Sequence, residues 1–404
     1  MTKIYSCISI LLEVIMLLGF GGKNCWCFKD WMQIDLSLGE GVPADVSMGL
    51  PACTAMCFKG ANASGKTNAL KVYSFIFDFV SHSFLYSPDT PILFNSFFHN
   101  EEPAEFYAEF LANTIYYRYE LTASKKAVII ERLFRKKNEE GSRETEVFVR
   151  EGNEITKNSL YKGHKDILFR NNASFISTLK QYNLPEIEDI YNFFFKTSIN
   201  VGYYGLNDRG ENDPQGLTNY YYTHPDELKF TIEKIKFFDT GIKDIEIKTR
   251  TSEQGQTYAY PIFYHSLANK KTHELAFLEE SKGTQALYCK LENYYKVLTI
   301  GGVLILDEFD INLHPDILPH LLDLFIKAEN NPKHAQILFT THNVDIMDIL
   351  GRYRTYLFEK EDGESFCYRL DEPKSPSLRN DRPLSVPYRK HLIGGFPKIG
   401  DKKE

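Results

Sequence analysis

The chain has 404 residues, of which 43% are hydrophobic and 14% aromatic, and it carries a formal net charge of −7. This is the composition of an ordinary globular protein with one large core or two smaller ones. The acidic balance excludes whole-surface electrostatic attraction to nucleic acid, leaving room only for a local basic patch.

Seven cysteines, an odd number in a chain of this length, do not form a disulfide framework and read as reduced thiols. Cys25, Cys27, Cys53 and Cys57 have the count of a four-thiolate zinc site. However, Cys57 falls in a strand and no histidine pair supports the site. Ile4 to Leu12 is apolar behind Lys3, but Glu13 interrupts the run, so neither a membrane span nor a signal peptide is expected. Residues 1–15 therefore read as an extension, with Met16 as an alternative start, and the protein is expected in the cytoplasm.

From Met16 the pattern is strand, turn and second strand. Ala52 to Phe58 is an apolar strand and Asn68 to Phe84 a helix, and between them runs Gly60-Ala61-Asn62-Ala63-Ser64-Gly65-Lys66-Thr67. Glu105–Leu111, Ile115–Leu121, Ala127–Leu133 and Thr145–Arg150 predict an antiparallel meander. Lys125, Lys126, Arg132, Arg135, Lys136 and Lys137, with Arg143 and Arg150 following, read as a solvated strand face. Apolar residues at helical spacing predict a mostly helical insertion over 151–264. Its tyrosines at 203–204 and 220–222 suit an aromatic core or a stacking surface. A second α/β half follows over 265–370: a helix from Gly283, a strand at Val303–Leu306, a helix from Pro315 and strands at Gln336–Phe339 and Thr355–Glu359. The tail 371–404, rich in proline, is expected to wrap the surface with little regular structure.

Four segments carry chemistry. The Gly60–Thr67 run fits G-x-x-x-x-G-K-[ST] without a mismatch and lies between a strand and a helix. Its glycines let backbone N–H groups of Asn62, Ala63, Ser64, Gly65 and the following residues to Asn68 converge on one anion, at the positive end of a helix dipole. Lys66 would reach the β- and γ-phosphates of a nucleoside triphosphate, and Thr67 would ligate Mg²⁺. The apolar strand Val303–Leu306 ends in Asp307-Glu308, at the sheet edge where α/β proteins bind ligands. Asp307 would serve the Mg²⁺ shell, and Glu308 would orient the water that attacks the γ-phosphate. Phe339-Thr340-Thr341-His342-Asn343 closes another apolar strand with a histidine. Ser281-Lys282-Gly283-Thr284 opens a helix, by itself a serine cap and also a second anion site.

In this order the motifs resemble those of ABC-type ATPases of the OLD-like, abortive-infection group found in bacterial anti-phage systems, relatives of SMC-type and DNA-break-repair ATPase heads. "KNCWCFKD", "GGVLILDEFDINLHP", "AQILFTTHNVDIMD" and "FEKEDGES" carry the resemblance, which covers most of the chain from Met16. It implies an α/β P-loop ATPase head with a mixed sheet, an antiparallel β subdomain and an inserted helical lobe, its first ATPase half spanning 16–150. It further implies ATP and Mg²⁺ as ligands. Ser281, Lys282 and Gly283 would be a signature touching ATP bound to another copy in a homodimer or higher oligomer. Glu308 would be the catalytic glutamate, His342 the switch histidine, Asp310–His314 the loop across the dimer seam, and Asp345 a cap of the next helix.

Two departures stand out: Pro91–Glu105 holds no glutamine for a Q-loop, leaving Asn95 or a nearby acidic residue, and the signature reads S-K-G-T. The resemblance also implies a separate nuclease or toxin effector and a phage-derived protein or nucleic acid as trigger, with no membrane partner. A DNA-binding repair ATPase, of the coiled-coil break-repair or RecF type, is the alternative.

Overall fold

The computed structural model describes residues 14–39, 41–137, 141–162, 167–239, 241–266, 271–373, 378 and 382–396. The expected N-terminal extension lies, up to Glu13, outside the described residues. The chain opens with β1 (Met16–Lys23) and β2 (Met32–Asp35), then a short helix α1 (Ala44–Ser47), β3 (Ala55–Gly60) and the long helix α2 (Lys66–His82). A meander follows: β4 (Ala104–Ala112), β5 (Ile115–Ala123), β6 (Val128–Lys137), β7 (Thr145–Glu151) and β8 (Glu154–Asn158). Next come α3 (Phe175–Lys180), α4 (Glu188–Phe195), β9 (Thr197–Ile199) and the small hairpin β10 (Val201–Gly202) and β11 (Gly205–Leu206). Helices α5 (Arg209–Asn212), α6 (Pro214–Thr223) and α7 (Pro225–Phe238) lead to β12 (Ile242–Thr251), β13 (Thr257–Ser266) and β14 (Thr272–Ala276). The last part holds α8 (Lys282–Ile300), β15 (Val303–Leu306), α9 (Leu318–Ile326) and β16 (Gln336–Thr340). It closes with α10 (Ile346–Leu350), β17 (Thr355–Glu361), β18 (Glu364–Arg369) and α11 (Ser385–Arg389).

Every residue of β3, β15 and β16 is buried, the pattern of parallel strands covered on both faces. They form a six-stranded sheet in the order β18-β17-β3-β16-β15-β9, with β17, β3, β16, β15 and β9 parallel and β18 antiparallel at one edge. The second large sheet is antiparallel, in the order β2-β1-β4-β5-β6-β7-β8. Helix α2 contributes Leu70, Tyr73, Phe75, Ile76 and Phe79 to a core shared with this sheet, where Phe75 packs on Phe94 and Phe106. One amide joins the two sheets. Gln336 on β16 donates to the carbonyls of Leu17 and Cys53, each at 2.9 Å, and accepts from Leu17 N at 2.6 Å. Leu17 sits where the register of β1 on β4 shifts, so the side chain satisfies backbone groups displaced by the bulge.

The span 151–264 is helical only in part. Strand β8 extends the antiparallel sheet and β9 joins the mixed one, while α3 and α4 belong to the core around α2, with Phe193 stacked on Phe110 at 4.2 Å. Helices α6 and α7 pack instead on α8 and on the separate three-stranded sheet β12-β13-β14. Short amphipathic segments bury their apolar faces against whichever neighbour is nearest, so a helical period alone does not make one lobe. Of the tyrosines in this span, Tyr221 is fully buried against Tyr288, whereas Tyr204 and Tyr222 are exposed.

Arg150 departs from the solvated face predicted for the basic cluster. It is 0% exposed and pairs with Glu131, also 0% exposed, at 3.2 Å. The remaining donors of Arg150 go to the carbonyls of Gly152, Ala173 and Arg170, and Glu131 accepts from Tyr119 Oη and Phe175 N. A buried ion pair survives only when its polar atoms are met in this way, and here the pair bolts the meander to α3.

The described part of the tail holds one short helix, α11, and packs on the mixed sheet. Leu384, Tyr388 and Ile393 join Met347, Leu357 and Leu370 in a third core cluster. Ser385 Oγ donates to Asp348 at 2.5 Å, and Arg389 pairs with Asp345 at 2.6 Å.

Candidate functional site

Strands β3, β16 and β15 are adjacent and parallel, so their C-terminal ends deliver three loops to one sheet edge: Gly60–Lys66, Thr341–Asn343 and Asp307–His314. The first loop runs straight into α2. Gly65 has φ 111° and Ala63 φ 61°, the left-handed geometry that turns successive N–H groups inward. Gly60 has no room for a side chain, since a Cβ there would stand 2.5 Å from Phe358 O. Asn62 and Ala63 are exposed at the loop tip, and Ser64 is buried with its hydroxyl unpartnered.

Lys66, 7% exposed, donates to the carbonyls of Gly60 and Ala61, both at 2.8 Å. Burial, reinforced by the nearby Lys59 charge, pushes its ammonium down to about 8. Neutral carbonyls compensate a buried cation only in part, so an anion placed in the loop is the stronger partner for Lys66.

Thr67 Oγ1 lies 3.1 and 2.9 Å from the two carboxylate oxygens of Asp307, which also accepts from Thr340 Oγ1 at 2.7 Å. Thr340 is shared, because its hydroxyl also accepts from Glu308 N at 2.8 Å. Glu308 has φ 52°, a strained value for a residue with a side chain, and its carboxylate is exposed at the sheet edge. One carboxylate and one hydroxyl on adjacent elements are hard oxygen donors that suit Mg²⁺, whose other positions are ordinarily taken by phosphate and water.

His342 is exposed, and its backbone N–H donates to Asp310 Oδ2 at 3.2 Å, tying the histidine loop to the loop after β15. Ser281 caps α8 by accepting from Thr284 N at 3.1 Å, and Lys282 reaches Gln285 at 3.0 Å. A Cβ on Gly283 would meet Asn312 O at 3.3 Å. Among the described residues no hydrogen bond joins Ser281, Lys282 or Gly283 to the phosphate loop of the same chain. Asp345 stands at the start of α10 without capping it through its side chain, which pairs with Arg389 instead.

Several site residues gave no sequence signal. Asn200, just past β9, brackets Asp307, donating to its carbonyl at 3.1 Å and accepting from its N–H at 2.7 Å. Asn95, the residue considered for a Q-loop, instead accepts from Tyr203 Oη at 2.8 Å. Cys27 Sγ accepts from Asn68 Nδ2 at 3.1 Å and lies 3.1 Å from where a Cβ of Gly65 would stand, so the β1–β2 loop flanks the start of α2. Two concavities, of about 430 and 1120 Å³, lie over the antiparallel sheet and along β9 and are lined by neither Lys66 nor Thr67.

A phosphate loop between a parallel strand and its helix, with an acidic strand end two strands away, is the arrangement of a P-loop nucleotide-binding domain. Residues 55–348 match the family described as "AAA domain, putative AbiEii toxin, Type IV TA system", and the chain belongs to that family. No curated protein matches it.

Among solved structures the chain is similar to an SMC head domain from Thermotoga maritima, at 14% identity and TM-score 0.43, covering 87% of this chain and 98% of that one. It is also similar to an SMC head bound to the C-winged helix domain of ScpA, at 12% identity and TM-score 0.47, covering 87% and 96%. The recombination mediator RecF has 13% identity and TM-score 0.37, covering 88% and 99%. Likenesses this distant carry no functional information. No helix among the described residues is long and apolar enough to cross a membrane.

Proposed function

We propose that this chain binds ATP with Mg²⁺ and hydrolyses it slowly to ADP and phosphate, at composite sites between two copies of itself. On this reading it acts in the cytoplasm as the sensor or regulator of an anti-phage abortive-infection system, through a separate nuclease or toxin. The observation that carries the chemistry is the hydrogen-bonded chain Thr67–Asp307–Thr340–Glu308, which aligns a hydroxyl, a carboxylate and an exposed glutamate beside the phosphate loop. The AbiEii name in the family description supports the biological setting.

The positions support the following roles. Lys66 exchanges the carbonyls of Gly60 and Ala61 for phosphate oxygens. Thr67 and Asp307 would hold Mg²⁺, which neutralises charge on the β- and γ-phosphates when bound. Glu308 orients the attacking water and draws off its proton, with His342 beside the γ-phosphate. Ser281, Lys282 and Gly283 of a second copy complete the anion site; among the described residues they make no hydrogen bond to the phosphate loop of their own chain.

Glu308→Gln should trap an ATP-bound dimer or higher oligomer, read by size-exclusion chromatography with light scattering. A Glu308→Gln protein that stays monomeric with saturating ATP removes the composite site. Mixing Ser281→Ala with Lys66→Ala should restore part of the turnover that each lacks alone. Proteins copurifying with Glu308→Gln from its native host identify the effector, and recovery of duplex DNA alone favours a repair role.

A further inference from the structure

Lys59 is a buried cation that the phosphate-binding chemistry does not use. It is 2% exposed, and among the described residues no carboxylate lies within ion-pair distance of it. Its Nζ donates to His342 O at 2.5 Å and to Thr341 O at 3.3 Å, and lies 5.6 Å from the centre of the Tyr388 ring. Burial lowers its basicity, so the fold bears a cost for keeping an ammonium there. The ladder between β3 and β16 ends at the pair Phe58 and Thr340. One residue further on, where main-chain pairing stops, the side chain of Lys59 grips the carbonyls of the segment that carries His342. The same segment is also held by Asp310, which accepts from His342 N.

We infer that Lys59 is a positioning residue for His342, fixing the backbone of Thr341 and His342 so that the histidine is held at the sheet edge where Glu308 also follows its strand. The inference rests on the proposed ATPase reading. A lysine serving only stability would hold the tail through Tyr388 and affect turnover no differently whether or not His342 is present.

The test is a double-mutant cycle on the full chain, with single-turnover hydrolysis of Mg-ATP and, separately, the Kd of a fluorescent ATP analogue. Lys59→Met should lower the hydrolysis rate by about 10- to 100-fold, the size expected of a displaced catalytic group, and change Kd by less than about threefold. In a His342→Ala background Lys59→Met should have no further effect on the rate. Equal losses in both backgrounds, or a loss in Kd alone, overturn the positioning role. If Lys59→Met does not fold, Lys59→Gln, uncharged and one bond too short to bridge both carbonyls, enters the same cycle under the same criteria. Wild-type protein that fails to hydrolyse ATP even in single turnover overturns the ATPase reading itself, and the role of Lys59 with it.

Discussion

Thr340 Oγ1 stands 2.7 Å from Asp307 Oδ1, and the same hydroxyl accepts the N–H of Glu308, so one side chain on β16 holds both acidic residues at the end of β15. Thr340→Val keeps the shape, removes the donor and leaves the Glu308 N–H without its partner. A stability loss of about 1–3 kcal/mol is expected in urea unfolding. Hydrolysis should fall further than this loss accounts for, because Glu308 at φ 52° loses its anchor. Thr340→Ser should retain both. Equal turnover in Thr340→Val and wild type would show that Glu308 needs no such anchor.

Lys66 predicts a pH dependence of the nucleotide-free protein. Its ammonium is held at about 8 in the fold, against an ordinary value of 10.5. Between these values the unfolded chain binds more protons than the folded one, so this group makes stability rise with pH across that window, its cost being full below pH 8. Lys66→Met removes the cost together with two hydrogen bonds to carbonyls. The variant should therefore gain up to about 1–3 kcal/mol over wild type at pH 7, an advantage that shrinks toward pH 10. Lys66→Met and Lys66→Ala should both lose ATP binding. A pH-independent difference in urea unfolding refutes the electrostatic account.

Glu131 and Arg150 test the bolt between the meander and α3. Glu131→Gln or Arg150→Met leaves the other charge buried without its counter-ion and should cost about 3–5 kcal/mol. The double substitution should cost less than the sum of the two, read as thermal midpoints under one buffer condition. Additive losses would mean that the two groups are stabilised by their backbone partners alone.

Cys27 reports on the nucleotide. Burial pushes the thiols of Cys53, Cys57 and Cys289 up to about 12, whereas Cys27 is partly exposed beside Gly65 and Asn68. Alkylation followed by peptide mass spectrometry should modify Cys27 ahead of those three, and saturating Mg-ATP should slow it at least about tenfold by burying the thiol. Unchanged labelling with ATP bound would place the nucleotide away from the start of α2.

The phosphate loop and Asp307-Glu308 were legible because each is a contiguous run flanked by the strand that presents it. The alternation of β4 to β7 likewise announced the meander. The helical reading of 151–264 went astray at β8 and β9, since three to five residues hold too little periodicity to show which sheet will accept them. Arg150 looked like its solvated neighbours because nothing local marks the one position of a strand that meets Glu131 from β6. Asn95 was weighed as a site amide on its place in the chain, but Asn200 is the amide on Asp307.

By itself, the order of residues determined the local chemistry: a loop whose glycines admit an anion, a lysine and a hydroxyl beside it, and an acidic pair ending a buried strand. Those properties depend on bonds between near neighbours. Only the tertiary structure decided that Thr340, Asn200 and Lys59 share the site, that Gln336 ties β1 to the mixed sheet, and that the tail closes over α10. Their partners lie from 32 to 319 residues away along the chain. Thr340, Asn200 and Lys59 meet because β3, β16, β15 and β9 are parallel neighbours and so end at one edge of their sheet.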